Sequence, residues 1–141
     1  MPRRRPGSAR RPLPLLSRYP ITVDAAVALA RAAACEEPAF VVLSFDDEGI
    51  LLAVGPHDVA LSELEASCAT LLHLLAPEGR GPAVVASVDP GFGCDVAPAL
   101  AVWPDLVHAF EEAGATLLDW LLVCDDRVSS VAAAAGTPAG W

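Results

Sequence analysis

Residues 114–130 read GATLLDWLLVCDDRVSS, and this stretch decides the fold. Its middle, residues 116–124 (TLLDWLLVC), is a short apolar run broken by a single acid, Asp119. A run of that length between turn residues suits a buried strand. Asp125 and Asp126 make a turn, and residues 127–131 return as a short last strand. Gly114 suits the C-terminal cap of a helix entering from the other side.

Working outward, residues 99–113 are helical in pattern, with Leu106, Phe110 and Ala113 on one face. Pro104 either kinks that helix or marks a fresh start in its first turn. Residues 88–98 (VDPGFGCDVAP) form a Gly- and Pro-rich loop, and residues 83–87 (AVVAS) a buried strand before it. Upstream, Ser62 and Glu65 have the spacing of a capping box. Leu64, Cys68, Leu71, Leu72 and Leu75 then give one apolar helical stripe. Residues 39–45 (AFVVLSF) and 50–54 (ILLAV) are two strands joined by a polar turn at 46–49. Residues 22–35 (TVDAAVALARAAAC) form the first helix, capped by Thr22 or Asp24. The order α-β-β-α-β-α-β-β implies a mixed α/β (α+β) domain, a sheet of about five strands flanked by helices.

Length and composition set the outer limits. The chain has 141 residues, 54% hydrophobic and 19% charged, enough for one domain with its own core. That apolar content excludes wholesale disorder, and no apolar run approaches the roughly 18 residues of a spanning helix. Cys35, Cys68, Cys94 and Cys124 show no paired-cysteine spacing, which argues against a zinc ribbon or a disulfide scaffold. Cys68 and Cys124 read as packed thiols. Cys94 lies in the 88–98 loop beside Asp95, and a neighbouring carboxylate raises a thiol pKa rather than lowering it. The expectation is a compact soluble domain of the cytoplasm.

Charge is unevenly placed. Residues 1–23 carry six arginines and no acid, +6 in all; residues 24–141 carry three arginines and all 18 acids, −15; the chain is −9. Residues 1–20 (MPRRRPGSARRPLPLLSRYP) read as a disordered Arg/Pro-rich arm, 21–131 as the domain and 132–141 as a flexible Ala/Gly-rich tail. The arm is either a solvated tail or a contact for nucleic acid, anionic lipid or the acidic body itself. The body repels phosphate, so nucleic acid is a partner only through the arm.

The quoted stretches resemble the JAB (MPN) metalloprotease-like fold, and most closely its bacterial RadC branch, over residues 22–131. The most specific piece is Gly114 to Val123 followed by Asp126, Arg127, Val128, Ser129 and Ser130, which is similar to the family's closing strand pair, G-x-x-L-L-D-H-x-x-V followed by D-x-R-x-x-S. The resemblance implies a zinc hydrolase constellation. Two histidines at the end of the third strand and an aspartate on the next helix hold the ion, a glutamate from the second strand activates water, and a serine steadies the oxyanion. In this chain the histidines fall on Ser87 and Asp89, the aspartate on Ala99 or Leu100, the serine near Val96 and the glutamate near Val54. Pro90 alone survives of the surroundings. The resemblance therefore implies a shell without its hydrolytic centre: no catalytic residue, no cofactor, and a binding or scaffold role toward a protein partner or a second copy of the chain.

Two rival readings stay open. A rewired zinc site of Asp89, Asp95, Asp105 and His108 would make the chain a peptidase or isopeptidase; Asp105 and His108 share a helix face, although an acid after Pro104 also suits the first turn of a helix. A DNA-repair-associated accessory protein would use the basic arm. His57 and His73 have no evident partners, and Gly91-Phe92-Gly93 completes no phosphate-binding pattern. Trp103, Trp120 and Trp141 are candidate anchors for a partner, Trp120 more naturally a core residue.

Overall fold

The computed structural model describes residues 22–46, 49–55, 59–75 and 81–137. The basic arm at 1–20, the turn residues 47–48, His57, the loop at 76–80 and the end of the chain with Trp141 lie outside the described residues.

Helix α1, Val23–Ala34, starts where Thr22 takes an extended backbone and its hydroxyl accepts from the Ala25 N–H at 3.2 Å. It ends at Cys35, whose left-handed backbone (φ 55°) stops helical propagation. Strands β1, Ala39–Asp46, and β2, Gly49–Val54, form an antiparallel pair. Helix α2, Leu61–Leu75, leads to β3, Pro82–Val88, which runs antiparallel to β1. Helix α3, Val96–Glu112, then crosses over to β4, Thr116–Cys124, which lies parallel to β3. Strand β5, Arg127–Ser130, turns back antiparallel, and a short α4, Val131–Ala134, follows at once. The result is a five-stranded mixed sheet in the order β2-β1-β3-β4-β5, flanked by helices. No helix among the described residues is long and apolar enough to cross a membrane.

Alternation along the strands divides the core into two layers. Phe40, Val42, Val85, Trp120 and Leu122 face α2, α3 and α4, and meet Leu64, Cys68, Trp103, Leu106 and Phe110. Val41, Leu43, Phe45, Val84, Ala86, Leu121 and Val123 face α1, whose Ala26, Ala30 and Ala34 are buried. Alanines on α1 let the helix lie close to the branched side chains of the sheet.

Three local expectations change. Helix α2 begins at Leu61, so Ser62 lies inside its first turn and the turn closes from the Glu63 N–H to the Ala60 carbonyl at 2.9 Å; Ser62 is not the capping residue. Helix α3 begins at Val96, earlier than 99, because Asp95 caps it by accepting from the Ala97 N–H at 3.1 Å. It runs on through Pro104, which is exposed, while Trp103 and Leu106 on either side are buried and hold the helix in place. The packed chain also extends past 131: Val131 and Ala132 are fully buried in the α2/α3 layer, and the Thr137 N–H reaches the Ala132 carbonyl at 3.0 Å.

After β2, the Gly55 N–H donates to the Phe40 carbonyl at 2.8 Å, and a Cβ at Gly55 would overlap the buried Phe40 ring. Gly55→Ala should lower stability by about 1–3 kcal/mol through overpacking. A urea unfolding midpoint equal to that of the parent would contradict this close approach.

Candidate functional site

Strands β3 and β4 are the parallel pair of the sheet, and in open α/β sheets ligands gather beyond the carboxyl ends of such strands. Ser87 sits at that end of β3. It lies opposite Phe40 of β1, which places it on the α2/α3 face. Trp120 of β4 lies on the same face, opposite Val85, and its indole Nε1–H donates to Ser87 Oγ at 3.0 Å. Both groups are buried, Ser87 at 3% and Trp120 at 0% exposure, so the indole fills the space beside the serine. Phe92, from the loop between β3 and α3, meets the Trp120 ring edge-on with centroids 6.2 Å apart. Asp89 opens that loop in a left-handed conformation (φ 48°), and its N–H donates to the Val123 carbonyl at 2.8 Å.

The positions matched to the hydrolase constellation do not converge. Ala99 is fully buried in the apolar layer beneath α3, and Leu100 and Val96 pack against that layer. Val54 pairs with Val41, whose side chain faces α1, so Val54 lies on the opposite side of the sheet from Ser87. Faces alternate residue by residue, so a single step in register separates the two sides. A zinc ion does not fit this set. Ser87 Oγ is held by the indole, Ala99, Leu100 and Val96 offer no donor, and Val54 faces away.

Nor does the structure gather Asp89, Asp95, Asp105 and His108. Asp95 is engaged in capping α3. Asp105 is exposed in the middle of α3 rather than in a first turn. His108 Nε2 lies 3.4 Å from Glu112 on the same helix, with both side chains in solvent. Among the described residues, no three His, Cys, Asp or Glu side chains form a group able to hold a metal ion. His57 and the arm lie outside the described residues.

Two features escaped sequence reasoning. One is the environment of Asp119, an acid 1% exposed. Register shifts between Ala83 and Val84, so that Ala83 pairs with Leu117 and Val84 with Asp119. This bulge at Leu118 changes which face each side chain takes and re-aims the acid. Its Oδ1 accepts from the Trp120 N–H at 2.7 Å and the Ala132 N–H at 3.3 Å, and the Ser130 hydroxyl lies 2.9 Å from both carboxyl oxygens. Ser130 Oγ in turn accepts from the Ala133 N–H at 3.1 Å and caps α4. Two residues of the closing strand pair, Asp119 and Ser130, are thus bonded to each other. An acid in the middle of an apolar strand was the available signal.

The other feature is a disulfide between Cys94 and Cys124, with Cα atoms 6.3 Å apart. It corrects the expectation of two separate thiols. Thirty residues separate them, so no local spacing announced the bond. The free cysteines are Cys35, exposed, and Cys68, buried on α2, where desolvation pushes the thiol pKa up strongly and keeps it protonated. Comparison with protein-family models, curated proteins and solved structures finds no match to this chain.

Asp119→Ala should cost about 2–4 kcal/mol, since it leaves buried donors from β4, β5 and α4 unsatisfied, while Ser130→Ala should cost about 1 kcal/mol. Chemical denaturation reads both, and equal small effects would contradict a central carboxyl. In the native, unreduced chain an alkylating reagent should label Cys35 alone, Cys68 only after unfolding, and Cys94 and Cys124 only after reduction. Intact mass after each step checks the order; a third adduct without reductant would contradict the bond.

Proposed function

We propose that this chain is a catalytically inactive JAB-like domain of the RadC type, serving as a binding or scaffold module in the cytoplasm. The observation that carries the reading is the Trp120 indole bonded to Ser87, which replaces a metal-ligand position with a buried, closed contact. The bonded pair Asp119 and Ser130 supports it from the motif side, since these are residues on which the family resemblance rests. An interaction role is supported by apolar side chains on the outermost strands. Leu52 and Val54 of β2 are 38% and 40% exposed, and Val128 of β5 is 41% exposed. By their pairing with Leu43, Val41 and Val123, all three lie on the α1 face. A protein partner or a second copy is the kind of ligand such strands take, either by covering them or by adding to the sheet edge.

The reading has distinct experimental outcomes. Full-length chain exposed to zinc and then dialysed should retain far less than one ion per chain and leave fluorogenic peptide and isopeptide substrates uncut. Stoichiometric zinc with hydrolysis would overturn the reading in favour of a rewired hydrolase. Salt-dependent DNA binding that disappears on deletion of residues 1–20 would overturn it in favour of an accessory protein acting through its arm.

A further inference from the structure

We propose that Cys94–Cys124 is a thiol-exchange site, and that its reduction by a glutathione-class thiol releases the loop over the Trp120–Ser87 contact. The inference deepens the binding-module reading and rests on it for the compartment. In a reducing cytoplasm a disulfide is a reversible bond rather than a permanent staple.

The bond joins the loop after β3 to the end of β4, where Cys94, Phe92 and Cys124 also pack on the α2/α3 layer. Cys94 ends the loop that follows β3, and Cys124 is the last residue of β4. Polar ties between this loop and the strands beneath it include the Asp89 N–H to the Val123 carbonyl at 2.8 Å and the Ser129 hydroxyl to the Cys94 carbonyl at 3.4 Å. The Gly93 N–H to Pro90 carbonyl bond is internal to the loop. Phe92 adds one ring edge against Trp120. The loop also holds Asp89 in a left-handed conformation (φ 48°), which aspartate adopts more readily than most L-residues. Covalent closure ties the loop down at one end, and the capped start of α3 fixes the chain just beyond it.

The surroundings also set the direction of attack. Cys94 is 7% exposed, whereas Cys124 is half-buried at the sheet end, so the incoming thiolate reaches the Cys124 sulfur. Arg31 of α1 donates to the Cys124 carbonyl and places a cation beside that sulfur's backbone. Asp125, Asp126 and Arg127 follow it in the chain, and Asp95 follows Cys94. Exchange runs in two balanced steps. A thiolate bonds to Cys124 Sγ and the Cys94 thiolate leaves and takes up a proton. A second thiolate then attacks the mixed disulfide, Cys124 leaves as a thiolate and is protonated, and the two thiols depart joined as one disulfide. The pair gains two electrons and two protons. Without the bond, residues 89–95 are held to the strands by hydrogen bonds and apolar packing alone, and the Phe92 cover over Trp120 is free to swing out.

The test uses the full oxidised chain carrying Cys35→Ala, which removes the exposed thiol. It is equilibrated in glutathione buffers of increasing reduced fraction, trapped by alkylation and weighed, and hydrogen exchange is followed in parallel. The expected result is a reversible transition under native conditions. Residues 89–95 should exchange about tenfold faster or more when reduced, while β1 and β3 stay protected. The Cys94→Ala/Cys124→Ala double variant should show the fast loop exchange in any buffer with an unchanged far-ultraviolet spectrum. A bond that yields only in denaturant, a reduced chain that loses protection throughout the sheet, or unaltered loop exchange would each overturn the proposal. These readouts are independent of zinc retention, so failure of the latch and failure of the inactive-module reading are told apart.

Discussion

Burial of the Trp120 indole against Ser87 is the contact on which the upper end of this sheet depends. Truncating a buried tryptophan to alanine typically costs about 3–5 kcal/mol, whereas its single hydrogen bond contributes about 1 kcal/mol. Shape therefore dominates: the ring fills the end of the α2/α3 layer, and the serine satisfies the one polar atom that the ring brings with it. A contact of this kind resists opening. Opening it requires moving a large apolar group as well as breaking a polar contact. The loop from Asp89 to Asp95 lies over it through Phe92 and is tied down by the Cys94–Cys124 bond.

Asp119 plays the complementary part at the edge. The bulge that re-aims it costs regular pairing at Leu118, and the return is a carboxyl that joins the backbone of β4, the Ser130 hydroxyl and the start of α4. That junction explains why so short a helix as α4 is packed rather than frayed, and why Val131 and Ala132 belong to the core. It also fixes the backbone of Trp120 itself, so the acid and the indole form one connected piece of structure.

Strands with continuous apolar runs were legible in the sequence because a run such as AFVVLSF or TLLDWLLVC has few other ways to bury itself. Gly114, with φ 87°, ended its helix as its type demands. Features set by tertiary contact were not legible. Ser62 had the right spacing for a cap, yet the first turn of α2 closed two residues earlier, at Ala60. Pro104 looked like a break, but the flanking Trp103 and Leu106 bind the helix to the core more strongly than one missing hydrogen bond loosens it. Ala132 looked like a loose tail because alanine carries little signal of its own. In the site, the absence of imidazole and carboxylate groups at Ser87, Ala99 and Val54 could be read directly from residue types. Val54 facing the other side of the sheet could not, since that depends on a strand register no spacing reveals. The Cys94–Cys124 pair was hidden for the same reason: β3, α3 and β4 bring together residues that the linear order holds thirty apart.

The proposed inactive module requires the Trp120 indole to stay closed against Ser87 in the presence of metal, and nuclear magnetic resonance of the tryptophan side-chain N–H groups tests this most directly. The Trp120 indole signal, assigned by Trp120→Phe, should exchange slowly with solvent and stay in place when zinc is added to the oxidised chain. A Trp120 signal that exchanges as fast as an exposed indole, or that shifts in proportion to added zinc, would contradict the account.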